Sequence, residues 1–248
     1  MKVFVINLET DQVRREKTVK QCTLNNLKYE VIKGVDGRTL PSDILPLVTH
    51  DYPQCALTKG EIGCALSHLS IYARMIAENI PYALVLEDDA LPGPELASHL
   101  AGLKTIISAT RPEVFLLTGN SAYNPKLKKM DLHNNVYYRV AYGSGGYGYV
   151  INRSAAQEIL KQNRPIIFEA DRWPLFRLNG CLRVWCSKQA VITTSDVTRE
   201  TSVLDSGRKQ RFAARSAYIN KFKRTIRFYQ MRRIKDLLLN KTGLAQQR

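Results

Sequence analysis

The chain lacks any apolar run long enough to cross a bilayer. Its longest, such as residues 82–86 and 114–117, fall far short of the roughly 20 residues that a spanning helix needs. A transmembrane helix is therefore excluded. It also lacks a small-residue cleavage pattern: residues 1–8 run straight into Glu9, Asp11, Arg14 and Arg15, so they do not read as a secretory signal, and a cytoplasmic protein is expected. Cysteine is sparse and unpatterned. Cys22, Cys55, Cys64, Cys181 and Cys186 are odd in number and contain no Cys-x-x-Cys pair, which argues against a zinc ribbon and a disulfide framework and leaves reduced, mostly buried thiols. There is no internal repeat and no low-complexity segment. What is present is ordinary globular composition, 44% hydrophobic and 24% charged over 248 residues, enough for one large domain or one domain with an appendage.

Acidic residues are nearly missing from one stretch. Residues 208–248 hold 13 Lys or Arg and a single acid, Asp236, for a net +12, whereas the other 207 residues carry only +3 of the total +15. The basicity belongs to the tail. Basic residues interleave there with Phe212, Ile219, Phe222, Ile226, Phe228, Tyr229, Met231, Ile234, Leu237 and Leu238. Ile219, Phe222, Ile226, Tyr229 and Arg233 recur at 3 and 4 spacing, while Lys221, Arg224 and Arg232 fall elsewhere around the wheel. An amphipathic, Arg-rich helix of this kind suits an anionic membrane surface. A helix packed on the body with its charges in water, or a nucleic-acid contact, fits the same composition. The nearly neutral body carries no nucleic-acid motif, so no nucleic-acid partner is expected.

Along the body, residues 2–8 (KVFVINL) read as a strand, followed by a helix capped at Thr10 or Asp11 and running to about Leu24. Residues 29–35 read as a second strand closed by the Asp36-Gly37 turn. Thr58-Lys-Gly-Glu61 has the form of a capping box, and Ile62, Leu66, Leu69, Ala73 and Ile76 behind it share one helical face. Residues 82–86 fit a strand buried on both faces, as in parallel sheets. Strands are expected at 114–117, 136–142, 147–151 and near 182–186, with a helix at 154–160. The order implies an α/β domain with a nucleotide-binding first half and a mixed sheet in the second.

The buried strand runs directly into Glu87, Asp88 and Asp89. Ligands of open α/β sheets bind beyond the carboxyl ends of strands, and hard oxygen donors there suit Mg²⁺ or Mn²⁺ with a diphosphate completing the octahedron. A solvated strand end is the plain alternative. Strand alternation would turn Glu87 and Asp89 to one side and Asp88 to the other. Glu61 and His68, seven residues apart, lie within about 20° of each other around the helix axis, flanking its apolar face, where they would orient a phosphate or a sugar hydroxyl. Gly143-Ser-Gly-Gly-Tyr-Gly148 is superficially dinucleotide-like, but strands flank it and no helix opens from it, so a dinucleotide site is not expected. Tyr147 and Tyr149 offer a sugar a stacking face or a hydroxyl.

Val5-Ile-Asn-Leu8 with Arg14-Arg15, then Gly34-Val-Asp-Gly37, Gly60-Glu-Ile-Gly-Cys-Ala-Leu-Ser-His68 and Leu84-Val-Leu-Glu-Asp-Asp89 resemble, in this order, the motifs of glycosyltransferase family 25. That family includes bacterial lipopolysaccharide and lipooligosaccharide galactosyltransferases and the catalytic domains of collagen galactosyltransferases. The resemblance continues through residues 145–152 and Asp171-Arg-Trp173, covering roughly residues 2–200. It implies a GT-A-like catalytic domain over residues 1–205, followed by a basic helical C-terminal extension over 206–248. It further implies a UDP-sugar donor, Mn²⁺ or Mg²⁺, and inverting transfer of a hexose, galactose foremost. The acceptor would be a lipooligosaccharide or lipopolysaccharide glycan at the cytoplasmic face of a bacterial inner membrane. A metal-dependent nuclease or phosphotransferase with a basic tail is the alternative class, and a non-catalytic sugar-nucleotide binder a third.

By analogy with other Glu-Asp-Asp enzymes of the GT-A fold, Asp89 is the direct metal ligand, Asp88 lies near the ribose and Glu87 holds metal-bound water. The bare strand geometry would instead let Glu87 and Asp89 share the ion. Asn7 and Leu8 are the expected uridine wall, Arg14 or Arg15 approaches the diphosphate, and Asp36, Gly37, Glu61 and His68 complete the donor site. Asp171 is the candidate base and Glu169 the runner-up, with Trp173 as a platform for the sugar ring and Tyr147 beside the acceptor.

Overall fold

Residues 3–6 are apolar at every position, and the strand they form is buried on both faces. The computed structural model describes residues 1–119, 121–195, 205–241 and 243–247. In chain order the elements begin with Lys2–Asn7 (β1), Gln12–Leu24 (α1), Tyr29–Lys33 (β2), a 3-10 turn at Gly37–Thr39, Leu45–Val48 (α2), Lys59–Ala77 (α3) and Tyr82–Glu87 (β3). Ala90–Pro92 (β4), Leu96–Ile106 (α4), Glu113–Leu116 (β5), Ala122–Met130 (β6), Val136–Tyr142 (β7), Gly148–Asn152 (β8) and Arg153–Gln162 (α5) follow. The chain continues with Trp173–Leu178 (α6), Arg183–Ser187 (β9), Ile192–Thr194 (β10), Asp205–Lys223 (α7), Tyr229–Leu239 (α8) and Ala245–Gln246 (β11).

Nine strands form one mixed sheet in the order β11-β6-β7-β9-β5-β8-β3-β1-β2. The expected α/β class is what the chain adopts. β1 pairs in parallel with both β2 and β3, with Val5 opposite Val31 and Leu86. β8 then runs antiparallel between β3 and β5. Because side chains alternate across a strand, Phe4 and Ile6 enter one core with Ile62, Leu69, Tyr72 and Met75 of α3. Val3 and Val5 enter the other, with Leu96, Leu100 and Leu103 of α4. Each such side chain contributes roughly 1.5–3 kcal/mol on full burial. The consequence for the site is positional: the parallel register sets Ile6 against Glu87, so β1 and β3 end together.

α3 begins as expected, with both halves of the Thr58/Glu61 capping box formed. The C-terminal segment differs from a single helix lying on a membrane. It breaks between α7 and α8, where Phe228 takes φ +62°, and its spaced apolar row is turned inward. Ile219 is buried in the core that the apolar face of α3 also enters, with Tyr218, Phe222 and Ile226 packed against that core. Arg215 is also buried, and Arg177 of α6 pairs with Asp236 of α8. β11 adds to the sheet edge through β6. The extension is thus packed on the body, and the boundary expected at 205/206 adjoins residues 196–204, which lie outside the described residues. Among the described residues no helix is long and apolar enough to cross a membrane.

Candidate functional site

The carboxyl ends of β1 and β3 bring Asn7 and the acidic triplet together. Asn7 Nδ2 donates to Asp88 Oδ2 at 2.9 Å and to the Asp11 carbonyl at 2.9 Å. Asp11 caps α1, and in the first turn of that helix Arg14 sets Nε 3.1 Å from Asp88 Oδ1 and Nη2 3.4 Å from Asp89 Oδ2. Arg15, one helical step further round, is exposed. Of the two expected arginines, Arg14 is therefore the one at the triplet. Strand alternation also fails here, because β3 stops at Glu87 and the next two carboxylates converge on one guanidinium.

Burial, then the Glu87 charge, pushes the Asp89 carboxyl up to about 7, with Arg14 opposing the rise. Burial likewise raises Asp88 against the pull of Arg14 and Asn7. Thr194 donates to Asp89 Oδ2 at 3.0 Å, but Asp89 Oδ1 is buried with no hydrogen-bond partner among the described residues. An orphaned buried carboxylate oxygen costs about 1–3 kcal/mol or more. A hard divalent cation is the group that satisfies it, so these residues fit the implied metal.

A cavity of about 140 Å³ opens beside the triplet, lined by Leu8, Arg14, Asp36, Gly37, Cys64 and His68 among others. Asp36 caps the Gly37–Thr39 turn, and the Arg38 guanidinium holds its carboxyl below the usual range. Gly37 is dictated by packing: a Cβ there would lie 1.7 Å from the Lys59 carbonyl oxygen at the start of α3. Glu61 and His68 do not flank α3 at the surface; both are buried. Glu61 Oε2 accepts from the Thr58 amide at 2.9 Å, completing the cap. His68 Nδ1 lies 2.7 Å from the Tyr149 hydroxyl and Nε2 3.2 Å from Glu87 Oε1. The Tyr149 hydroxyl in turn meets that of Tyr72, and burial raises both phenols. Tyr149 is therefore a buried link to His68, with no face for a sugar.

The Gly/Tyr segment reaches across to Asp171. Gly145, at φ +107°, donates its amide to Asp171 Oδ2 at 3.2 Å. A Cβ on Gly146 would stand 2.7 Å from Glu87 Oε1, 3.5 Å from Asp171 Cβ and 3.8 Å from His68 Nε2. This glycine is where Glu87, His68 and Asp171 meet. Trp173 is 0% exposed, donates Nε1 to the Gly145 carbonyl at 3.1 Å and packs edge-on against Tyr149. It holds the loop from beneath and offers no sugar platform. Glu169 is also buried. Burial alone would raise its carboxyl, but hydrogen bonds from Arg215 and Arg172 outweigh that and hold it at about 2. A carboxylate so held is a poor proton acceptor, which removes the runner-up base.

A larger cavity, about 1450 Å³, joins Glu87 and Asp89 to Tyr147, Gly146 and Asp171, and its far wall includes Lys223, Arg224 and Arg233. Burial and the neighbouring Arg233 and Arg172 charges lower the Lys223 pKa, so these cations crowd one another. Sequence reasoning missed that the tail builds this wall, and missed Thr194, which follows a stretch with no motif. Cys64 was legible only as the residue four before His68.

The sequence places the chain in a glycosyltransferase family. Residues 1–173 match the family described as "Glycosyltransferase family 25 (LPS biosynthesis protein)", and the chain belongs to that family. It is 27% identical over 171 residues to human procollagen galactosyltransferase 2, covering 65% of this chain and 27% of that protein. It is 28% identical over 167 residues to the bovine protein named "Probable inactive glycosyltransferase 25 family member 3", covering 64% of this chain and 28% of the relative. The matched stretch thus spans less than a third of the length of these curated relatives. Among solved structures, it is similar to a glycosyltransferase involved in glycosylating the major capsid of PBCV-1, at TM-score 0.38 and 8% identity over 86% of this chain and 97% of that one.

Proposed function

We propose that the protein is an inverting glycosyltransferase that moves a hexose, galactose from UDP-galactose foremost, onto a lipooligosaccharide or lipopolysaccharide glycan. One observation carries this reading: Asp89, which shares the Arg14 guanidinium with Asp88, and the partly exposed Asp171 line one cavity, with Gly146 packed between Glu87 and Asp171. Asp89 would hold Mn²⁺ or Mg²⁺ through its unpartnered Oδ1, with Glu87 reaching it through water and Asp88 toward the ribose. Such an ion, when bound, supplies charge compensation to the leaving diphosphate.

The chain's own residues supply the rest. Leu8, Asp36 and Gly37 wall the nucleoside, and Arg14 presents its guanidinium toward the diphosphate. In a single displacement the acceptor oxygen bonds to the anomeric carbon as the bond to the diphosphate oxygen breaks, inverting that centre. Asp171, oriented by the Gly145 amide, takes the hydroxyl proton. The cationic wall of Lys223, Arg224 and Arg233 suits an acceptor bearing phosphate or carboxylate. Exposed Met231, Ile234, Leu237 and Leu238, beside Arg232 and Lys235 on α8, support contact with an anionic membrane at the cytoplasmic face. Membership of the family favours transfer over the nuclease or phosphotransferase alternative.

The experiment is UDP release from a panel of UDP-sugars, with and without Mn²⁺, using wild type and Asp89→Asn and a galactose- or glucose-terminated acceptor. Metal-dependent release from UDP-galactose that the variant loses is the expected result. Absence of release with every donor, together with no calorimetric binding of UDP and Mn²⁺, overturns the reading.

A further inference from the structure

We propose that Cys64, His68 and Glu87 form a second cation site, one that takes a thiophilic divalent ion such as Zn²⁺. Residues four apart on α3 lie about 40° apart around its axis, so Cys64 and His68 project from one face, and the capping box at Thr58 fixes the helix that carries them. β3 delivers Glu87 to the same point. A thiol sulfur, an imidazole nitrogen and a carboxylate oxygen of the three residues all lie within 4.8 Å of one another, with His68 Nε2 and Glu87 Oε1 at 3.2 Å. Ligands at about 2.0–2.3 Å from a tetrahedral zinc stand roughly 3.3–3.8 Å apart. Closing the set therefore takes about an ångström of side-chain adjustment.

The outer shell is already in place. His68 Nδ1 is held by the Tyr149 hydroxyl, which is held by Tyr72, and both phenols are buried. With a cation on Nε2 the ring proton sits on Nδ1 and is donated to the Tyr149 oxygen, whose own proton goes to Tyr72. This is the arrangement by which a partner fixes the tautomer and direction of a metal-bound histidine. Binding displaces one proton from the Cys64 thiol to solvent.

Glu87 is common to this site and to the triplet, and ligand softness separates the two ions. Asp88 and Asp89 offer only oxygen and suit Mg²⁺ or Mn²⁺, whereas thiolate with imidazole favours zinc. The three residues line the same small cavity as the triplet. Three protein ligands leave a fourth position for water or a diphosphate oxygen. A zinc ion there would oppose donor binding, a consequence that rests on the transferase reading; the site itself does not.

Co²⁺ titration of the full chain, far from any activity assay, tests the site. Wild type is expected to develop a near-ultraviolet thiolate-to-cobalt charge-transfer band that equimolar Zn²⁺ abolishes. Cys64→Ser should lose the band and Asp89→Asn keep it, while Tyr149→Phe should weaken zinc binding by about 10–100-fold. The remaining four cysteines, Cys22, Cys55, Cys181 and Cys186, are buried, so the band reports on Cys64. No band in wild type with native circular dichroism, or an undiminished band in Cys64→Ser, overturns the proposal. If the band behaves as expected and no donor is turned over, the transferase reading alone fails.

Discussion

Replacing Arg215 with Met should loosen the C-terminal helices from the body, and the structure sets the size of the effect. Arg215 is 6% exposed. It donates to Glu169 through Nε at 3.0 Å and Nη2 at 2.8 Å, and to the carbonyls of Cys55 at 2.9 Å and Ile167 at 2.7 Å. Methionine keeps the apolar stem but leaves Glu169 buried with Arg172 as its partner and two carbonyls short of a donor. Breaking a buried pair in this way costs about 3–5 kcal/mol. The depressed Glu169 carboxyl sets a ceiling of the same order: moving it from 4.5 to about 2 is worth about 3 kcal/mol, of which Arg172 holds a share that the variant retains. For a chain of this length that is a fall in Tm of roughly 6–20 °C. The pH dependence has a definite sign. Because the folded carboxyl is depressed, its contribution is complete above the unfolded value near 4.5 and is lost as pH falls toward about 2. Urea unfolding of wild type and Arg215→Met from neutral pH down to the acid limit measures both effects. The variant should be weaker at neutral pH and should lose less on acidification. A loss under about 1 kcal/mol with an unchanged acid limb would refute the reasoning, since a surface pair behaves that way.

Asp89→Asn should retain the fold and lower metal-dependent UDP release by roughly two orders of magnitude, the effect of withdrawing several kcal/mol of charge stabilisation; full turnover by the folded variant removes the ligand assignment. Asp171→Asn should lower kcat by about 10²–10⁴-fold while calorimetric binding of UDP with Mn²⁺ is retained, and loss of that binding instead would place Asp171 on the donor side. Gly146→Ala puts a methyl 2.7 Å from Glu87 Oε1, so transferase activity should fall further than thermal stability does. Leu237→Ser with Leu238→Ser should weaken sedimentation with anionic liposomes by roughly tenfold per residue at nearly constant Tm, because both are exposed. Deleting residues 208–248 is the poorer experiment, since it strips Ile219 and Arg215 from the core.

What was legible in the sequence follows from how local each signal is. β3 and α3 were readable because a strand buried on both faces is a continuous apolar run and a capped amphipathic helix carries its own start signal. β6 was not, since Pro125 and a row of exposed residues interrupt it and its pairing with β7 shifts register. The tail's periodic row was readable as a stripe, but periodicity names a face and not what covers it. Trp173 shows the same limit. It is two residues from Asp171, yet α6 starts at that point and turns the indole into the core. The triplet's placement at a strand end was legible from topology alone, whereas the convergence of Asp88 and Asp89 on Arg14 needed the turn that follows Glu87.

The inward packing of α7 and α8 has a consequence for the order in which the protein is made. The end of the sheet that carries Asn7 and Glu87 is assembled from β1, β2, α3 and β3, all complete by Glu87, with β1 pairing in parallel to both β2 and β3. The opposite wall of the large cavity draws Lys223 from α7, Arg224 from just after it and Arg233 from α8, all later in the chain. Synthesis therefore supplies the compartment from its Asp89 end outward. A nascent chain carries the strand ends that place Asn7 and Glu87 well before it carries the cations of the facing wall.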